Sequence, residues 1–365
     1  MKKSTFLQLT GLLLGPIGLF LHVLYSYFPN YGEAFYSASL NKFFIQLLSK
    51  LTGVFPFSVH ELLVYALILF IPCFLIRSFI KGRKCSEGWK VFLLSWLFKI
   101  GVCLSTFVFV FISFWGLNYS RPSLNQHYGF YHGLHTEEEL ATLYGFLITK
   151  CNELREDLPH DENYVFTLEE DTKETFKRAS LGYQEAAKLF PTLSGDYGLP
   201  KPVLVSQLMS YTGTMGTYSP FTGEANINTS IPDFWLPSTT THEMAHQRGY
   251  ALEEDANFIA FLTCSLHPDR DFQYSGYLLA LVHTESALWA INKDRVLALR
   301  PTLSFKVQVD LNYNNTFWSP YEGWIQDVSS QINDSYLKAN GVADGEKSYG
   351  RMVDLLLDYY ETYLQ

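Results

Sequence analysis

Three apolar stretches dominate the first third of the chain. Phe6 to Phe28 contains no charged residue and follows Lys2-Lys3. Leu62 to Ile76 is also uncharged and extends to spanning length between Ser58 and Ile80, with His60 and Glu61 at its entrance. Val91 to Trp115 is interrupted only by Lys99. Each reaches the roughly 20 residues that cross a hydrocarbon core about 30 Å thick. The pattern therefore predicts transmembrane helices at about 6–28, 58–80 and 91–115. Between the first two, Ala34 to Leu51 places apolar residues at 35, 36, 40, 43, 44, 47 and 48. That one-sided helical spacing suits a helix lying in the membrane interface, or one packed on a neighbouring domain.

After Trp115 the long apolar runs stop, which divides the chain into a membrane domain, 1–115, and a second domain, 116–365. Asn118 to Leu134 reads as a turn-rich, aromatic connector. Thr136 followed by Glu137-Glu138-Glu139 marks a helix start, and apolar positions 140, 143, 147 and 148 continue it. Leu168 to Phe190 reads as a helix stopped by Pro191. Pro202 to Asn228, with scattered Val, Tyr and Ile among Gly and Thr, suggests short strands and turns. Helices return at about 238–248, 252–266, 273–293, 322–338 and 347–364. The expected fold class is mainly α: three N-terminal transmembrane helices followed by a mostly helical α+β domain with a small sheet.

Charge sharpens this division. Of 27 Lys/Arg and 36 Asp/Glu in the 365 residues, positions 1–115 hold ten and three, and the remainder seventeen and thirty-three. An outer part so acidic excludes nucleic acid as a partner, because phosphate binding needs clustered Lys and Arg. Lys2, Lys3, Arg77, Lys81, Arg83, Lys84 and Lys90 fall on one side of the spans, and only Lys42 and Lys50 in the loop opposite. The basic side should face the cytoplasm. This puts the N-terminus inside and residues after Trp115 outside, with the first span an uncleaved anchor. Of five cysteines only Cys151 and Cys264 lie in the outer part, and two buried thiols are expected there rather than a disulfide framework.

The candidate chemistry lies in Thr239-Thr240-Thr241-His242-Glu243-Met244-Ala245-His246-Gln247. Histidines four apart share a helix face, so His242 and His246 can aim two imidazoles at one ion. Glu243, one position along, can hold a water beside that ion and take its proton. Hydrolytic zinc sites commonly use three protein ligands and leave one position open. Gly249 can end the helix, and an early-turn carboxylate of the next helix can then come back to the metal. Glu253 is preferred, because the residues behind it, Asn257, Ala260 and Cys264, are small enough for close helix contact. Glu254 is the fallback, with Phe258 and Phe261 behind it. Asn257 could brace a ligating histidine. The competing reading makes Thr240 and Glu243 a helix cap and the histidines ordinary surface groups.

His242-Glu243-x-x-His246 followed by Glu253-x-x-Ala256-Asn257 resembles zinc metallopeptidases that use a glutamate ligand, the gluzincins. The spacing of six residues between His246 and Glu253 departs from their best-known members. The whole layout is similar to an uncharacterised bacterial membrane family, domain of unknown function 3810. The features that carry this are the three leading spans, Pro220-Phe221-Thr222-Gly223-Glu224-Ala225, His-Glu-Met-Ala-His-Gln-Arg-Gly, and Ser348-Tyr349-Gly350-Arg351-Met352-Val353-Asp354. The resemblance implies a zincin-like extracytoplasmic domain with a peptidase-like zinc site, on a multi-pass protein of the bacterial plasma membrane.

Other residues complete the expectation. Gly223 to Asn228 is a candidate edge strand for an extended substrate. Tyr349 and Arg351 are candidate oxyanion donors. His127, His132 and His135 are weak candidates for a second metal, His283 and Glu285 for contact with the site, and His267 for the surface. The expected function is a membrane-anchored hydrolase with Zn2+ on His242, His246 and Glu253 and Glu243 as general base, acting on a peptide or protein of the cell envelope. The alternative is a zinc-stabilised domain that binds or senses without cleavage.

Overall fold

The computed structural model describes residues 3–86, 88–129, 135–345 and 351–364. It is mainly helical with one small sheet. Helices α1 (Lys3–Tyr27), α2 (Lys42–Gly53), α3 (Val59–Arg83) and α4 (Trp89–Phe114) occupy the first third. Of these, α1, α3 and α4 are long and apolar enough to cross a bilayer, as expected for a membrane-anchored protein.

Helix α1 packs along α4 through small residues. A Cβ at Gly15 would lie 2.9 Å from Ser105 Oγ, and one at Gly18 3.2 Å from the Phe109 backbone. Pro16 has no N–H, so the Leu12 carbonyl one turn earlier loses its helical donor. Ser105 Oγ supplies it at 2.8 Å and accepts from Gly15 N at 2.8 Å. A polar group freed in an apolar setting is thus paired across the helix interface.

The loop between the first two spans has two faces. A π-helical turn, Glu33–Asn41, runs into α2. Polar Glu33, Ser37, Asn41 and Ser49 are buried against the rest of the protein, whereas Phe35, Leu40, Phe43, Phe44 and Leu47 point outward. Helix α2 therefore packs on the domain and still presents an apolar face. Glu33 takes both ends of the Arg121 guanidinium, each at 2.7 Å, and Arg121 reaches on to the Arg248 carbonyl at 3.1 Å.

The remaining long elements are α5 (Glu137–Arg155), α6 (Thr172–Leu189), β1 (Lys201–Pro202), β2 (Gly216–Ser219), β3 (Glu224–Ile227), α7 (Leu236–Gln247), α8 (Glu253–Ser265), α9 (Arg270–Ile291), α10 (Phe305–Trp318), α11 (Trp324–Ala339) and α12 (Met352–Tyr359). Helix α5 opens with the expected Thr136/Glu139 capping box. Helix α10 and the short helix Lys293–Leu299 arise in a stretch where no helix was predicted. The apolar side chains of α10 are spread around its axis, so periodicity gives no signal there. The core gathers around α7 and α8, which α5, α6, α9 and α12 surround. Inside it, Asp310 pairs with Arg155 at 2.6 Å and also accepts from Tyr274 Oη and Phe166 N, so the buried charges are fully bonded. Cys151 and Cys264 are buried free thiols.

The sheet order is β1-β3-β2, with β1 parallel and β2 antiparallel to β3. This overturns the expectation that Gly223 to Asn228 forms an edge: β3 is central, and β1 and β2 are the edges. The entrance of α3 docks on β3 and the loop after β1. Glu224 accepts from Val59 N and His60 N at 3.1 and 2.8 Å, the amides of a helix N-terminus. Ser58 Oγ bonds Asn226 at 2.6 Å, and Glu61 accepts from Leu204 N and Val205 N at 2.8 and 3.1 Å. His267 also departs from expectation. It is buried, stacked on Phe272 at 3.9 Å, and bonded to Arg178 O and Asp269 N, each at 3.0 Å.

Candidate metal centre

Helix α7 begins at Leu236 with Pro237 in its first turn, where a missing N–H costs nothing. Thr240 is consequently inside the helix, its hydroxyl donating to Leu236 O at 2.6 Å, and the alternative cap at Thr240 and Glu243 does not form. His242 and His246 share a face, with ring centroids 4.7 Å apart. The helix stops where expected. Gly249 adopts φ of +80°, Gly249 N bonds His246 O at 2.8 Å, and Tyr250 N bonds Ala245 O at 3.2 Å.

The reversed chain enters α8 at Glu253. Its Oε2 lies 3.3 Å from His242 Nε2 and 3.7 Å from His246 Nε2. One ligand atom from each of the three falls within 4.8 Å of the others, a group able to hold a metal ion. Glu254 turns away and is held by Arg351 at 3.0 and 2.7 Å. The small residues behind Glu253 do face α7: Ala260 and Cys264 are fully buried, and Cys264 Sγ is 3.3 Å from Thr241 Oγ1.

The group's surroundings set its protonation. His246 Nδ1–H donates to Tyr250 O at 2.6 Å, which turns Nε2 toward Glu253. That brace comes from the backbone and not from Asn257, which lines the cavity wall. Burial opposes charge on His246, but the Glu253 and Glu243 carboxylates outweigh it and push the imidazole up to about 9. Burial likewise opposes charge on Glu253, yet His246 and His242 hold its carboxyl well below the usual range. These two shifts are the two sides of one attraction between the His246 imidazole and the Glu253 carboxylate. Glu243 is buried beside them, and burial lifts its carboxyl above the usual range. Its Oε2 has no hydrogen-bond partner among the described residues. Gly216 makes room for it, since a Cβ there would lie 2.5 Å from Glu243 Oε1.

These groups open into a cavity of about 930 Å³. One wall is β2, whose outer edge has no strand partner among the described residues. The lining also includes Gln326, Asn333 and Tyr336 of α11. Trp115, just past the end of α4, sets its ring edge-on to His246 at 5.7 Å. Its Nε1–H donates to Tyr336 Oη at 2.8 Å, and Tyr119 Oη donates to the same oxygen at 3.2 Å. Tyr336 therefore accepts twice and keeps its own proton to donate. Burial raises the Tyr336 hydroxyl, and the Glu253 carboxylate adds to this.

Residues 36–357 match a family described as a protein of unknown function, DUF3810. The chain belongs to this family. No curated protein and no solved structure matches it. In this DUF3810 member the residues after His246 have structural partners. Gln247 Nε2 bonds Gly223 O at 2.8 Å, and Arg248 Nε bonds Leu193 O at 2.9 Å with its guanidinium 3.6 Å over the Tyr183 ring.

The other sequence candidates are dispersed. Arg351 serves Glu254 and Asp344, so it is not placed as an oxyanion donor, and Tyr349 lies outside the described residues. His283 lines the cavity, where burial and nearby His242 push it down to about 4. Glu285 accepts from Tyr144 Oη at 2.6 Å instead. His135 bonds Asp358 at 3.0 Å and groups with Glu139 and Glu361, without His127; His132 lies outside the described residues. Sequence reasoning missed Gly216, Trp115, Tyr119 and Tyr336, because no spacing links them to the histidine motif.

Proposed function

We propose that the protein is a membrane-anchored zinc-dependent hydrolase, in its simplest form a metallopeptidase, with its site on the outer face of the plasma membrane. The observation that carries this reading is the convergence of His242, His246 and Glu253 beside a buried Glu243 whose Oε2 has no partner among the described residues. Two imidazoles and one carboxylate match the donor set of an open zinc site, and the adjoining cavity leaves room for substrate. A zinc-stabilised domain without catalysis would favour a fourth protein ligand, and the group among the described residues has three. The zincin-like character of the domain and its outward orientation rest on the motif and the loop charges.

Zn2+ held by His242, His246 and Glu253 supplies carbonyl polarisation and a more acidic water. Glu243 accepts the proton at Oε2, where burial has raised its affinity for one. The unpaired edge of β2 orients an extended peptide by strand addition. Tyr336, fixed by Trp115 and Tyr119, offers its hydroxyl proton to the oxygen on which charge develops. The test compares Glu243→Gln with the native full-length protein in detergent. We expect unchanged zinc content and turnover reduced about 10²–10⁴-fold. Native turnover in the variant would overturn the mechanism, and absence of zinc from the native protein would overturn the assignment.

A further inference from the structure

The cavity is built partly from the membrane spans. Phe111 and Trp115 of the α4 end and His60 of the first turn of α3 all line it. Phe221, in the hairpin between β2 and β3, lines it too and packs on Phe107 with ring centroids 5.7 Å apart. Phe107 lies seven residues before the end of α4, about 10 Å down its axis at 1.5 Å per residue. The hairpin thus dips beside the span, and the cavity floor sits at the level of its outer turns.

Two further features mark the same level. Helix α11 turns Gln326, Ser329, Asn333 and Tyr336 to the cavity, while Trp324 and Val328 are exposed away from it. Tyr336 packs edge-on against Phe111 at 6.3 Å, so this amphipathic helix rests on the span's end. Helix α2 presents Phe43, Phe44 and Leu47 outward. Helices α3 and α4 make little contact with each other. Near their connecting loop Gly82 sits against Trp89 and Phe92, but at the other end α3 is clamped to Glu224 while Trp115 stands beside His246. Leu104 and Phe107 of α4 remain exposed.

We infer that the substrate is a polypeptide tethered in the same membrane. Its anchor lies along the divide between α3 and α4, and its first residues beyond the hydrocarbon enter along β2. This rests on the hydrolase reading and names its substrate class. A soluble peptide would gain nothing from walls made of span ends, whereas a tethered one continues from lipid into the site without leaving the protein surface.

The experiment uses full-length protein in phosphatidylethanolamine/phosphatidylglycerol vesicles. The probes are a degenerate ten-residue segment joined to a polyleucine helix, the same segment carrying a palmitoyl chain, the same segment free, and a helix-anchored version set off by a 30-residue Gly/Ser spacer. We expect at least one directly anchored probe to be cut tenfold or more faster than the free segment, within about ten residues of its anchor. The helix and acyl arms identify the tether. Equal cleavage of the free or spaced segment would overturn this inference and leave the hydrolase intact. A diazirine at the anchor's outer end, tested on Glu243→Gln, reads binding without turnover. Crosslinks to Phe107 or Phe221 with no cleavage by native protein would retain the tethered ligand and overturn the hydrolase; neither crosslinks nor cleavage would overturn both.

Discussion

Adjacent acidic residues in one helical turn take opposite roles here. Glu253 faces His242 and His246, whereas Glu254 meets Arg351, about 100° further around the helix. Glu253→Ala should therefore abolish zinc retention after dialysis. Glu254→Gln should keep the metal and lower stability by about 1 kcal/mol or less, because Arg351 is partly exposed. Metal analysis beside thermal unfolding separates the two. The small residues at 260 and 264 made the facing of Glu253 toward the histidines legible from sequence, since they lie on the buried stripe behind it. The fate of Arg351 was illegible, because its partner lies 97 positions away.

His267 illustrates the same limit and carries a pH prediction. Burial holds its imidazole below the ordinary value, with Nε2–H donating to Arg178 O and Nδ1 accepting from Asp269 N. As pH falls below about 6.5, the unfolded chain takes up a proton that the folded imidazole resists, so stability falls with pH. This contribution is fully present above that value and is lost as pH drops through the folded group's lower one. Between pH 7 and 5, His267→Gln should lose less thermal stability than the native protein; equal losses would remove His267 as the cause. Nothing local in Leu266-His267-Pro268 announces burial, which depends on the ring meeting Phe272.

At the scale of elements, legibility followed periodicity. The three spans, α5 with its capping box, and the α7–Gly249–α8 reversal could be read from hydrophobic spacing and end signals. Helix α10 could not, and the order of the sheet was misread because strands of two to four residues carry no register of their own. β3 is central because β1 and β2 both pair with it, and its Glu224 and Asn226 also meet the start of α3. Within the spans, the α1–α4 contact depends on one hydroxyl repairing the gap at Pro16. Ser105→Val should cost about 1 kcal/mol, measured as a lower unfolding midpoint in detergent, whereas Ser105→Thr should retain much of that bond.

For the whole molecule, loop charge makes a topological prediction. Impermeant thiol reagents on intact cells should label a cysteine placed at exposed Glu162, and should reach native Cys85 only after the membrane is opened. The reverse labelling would invert the protein and move the site to the cytoplasm.

The clamp at Glu224 has a consequence for how the protein can be divided. The carboxylate is buried, and the amides it accepts from belong to Val59 and His60. Arg121 similarly depends on Glu33. A fragment beginning at residue 116 would keep the acid and the guanidinium but discard what neutralises or solvates them. It would also uncover the surfaces on which Ile45 and Ser49 sit. The first third is thus less a tether than a keystone: without it, the histidine helix loses the frame that aims it.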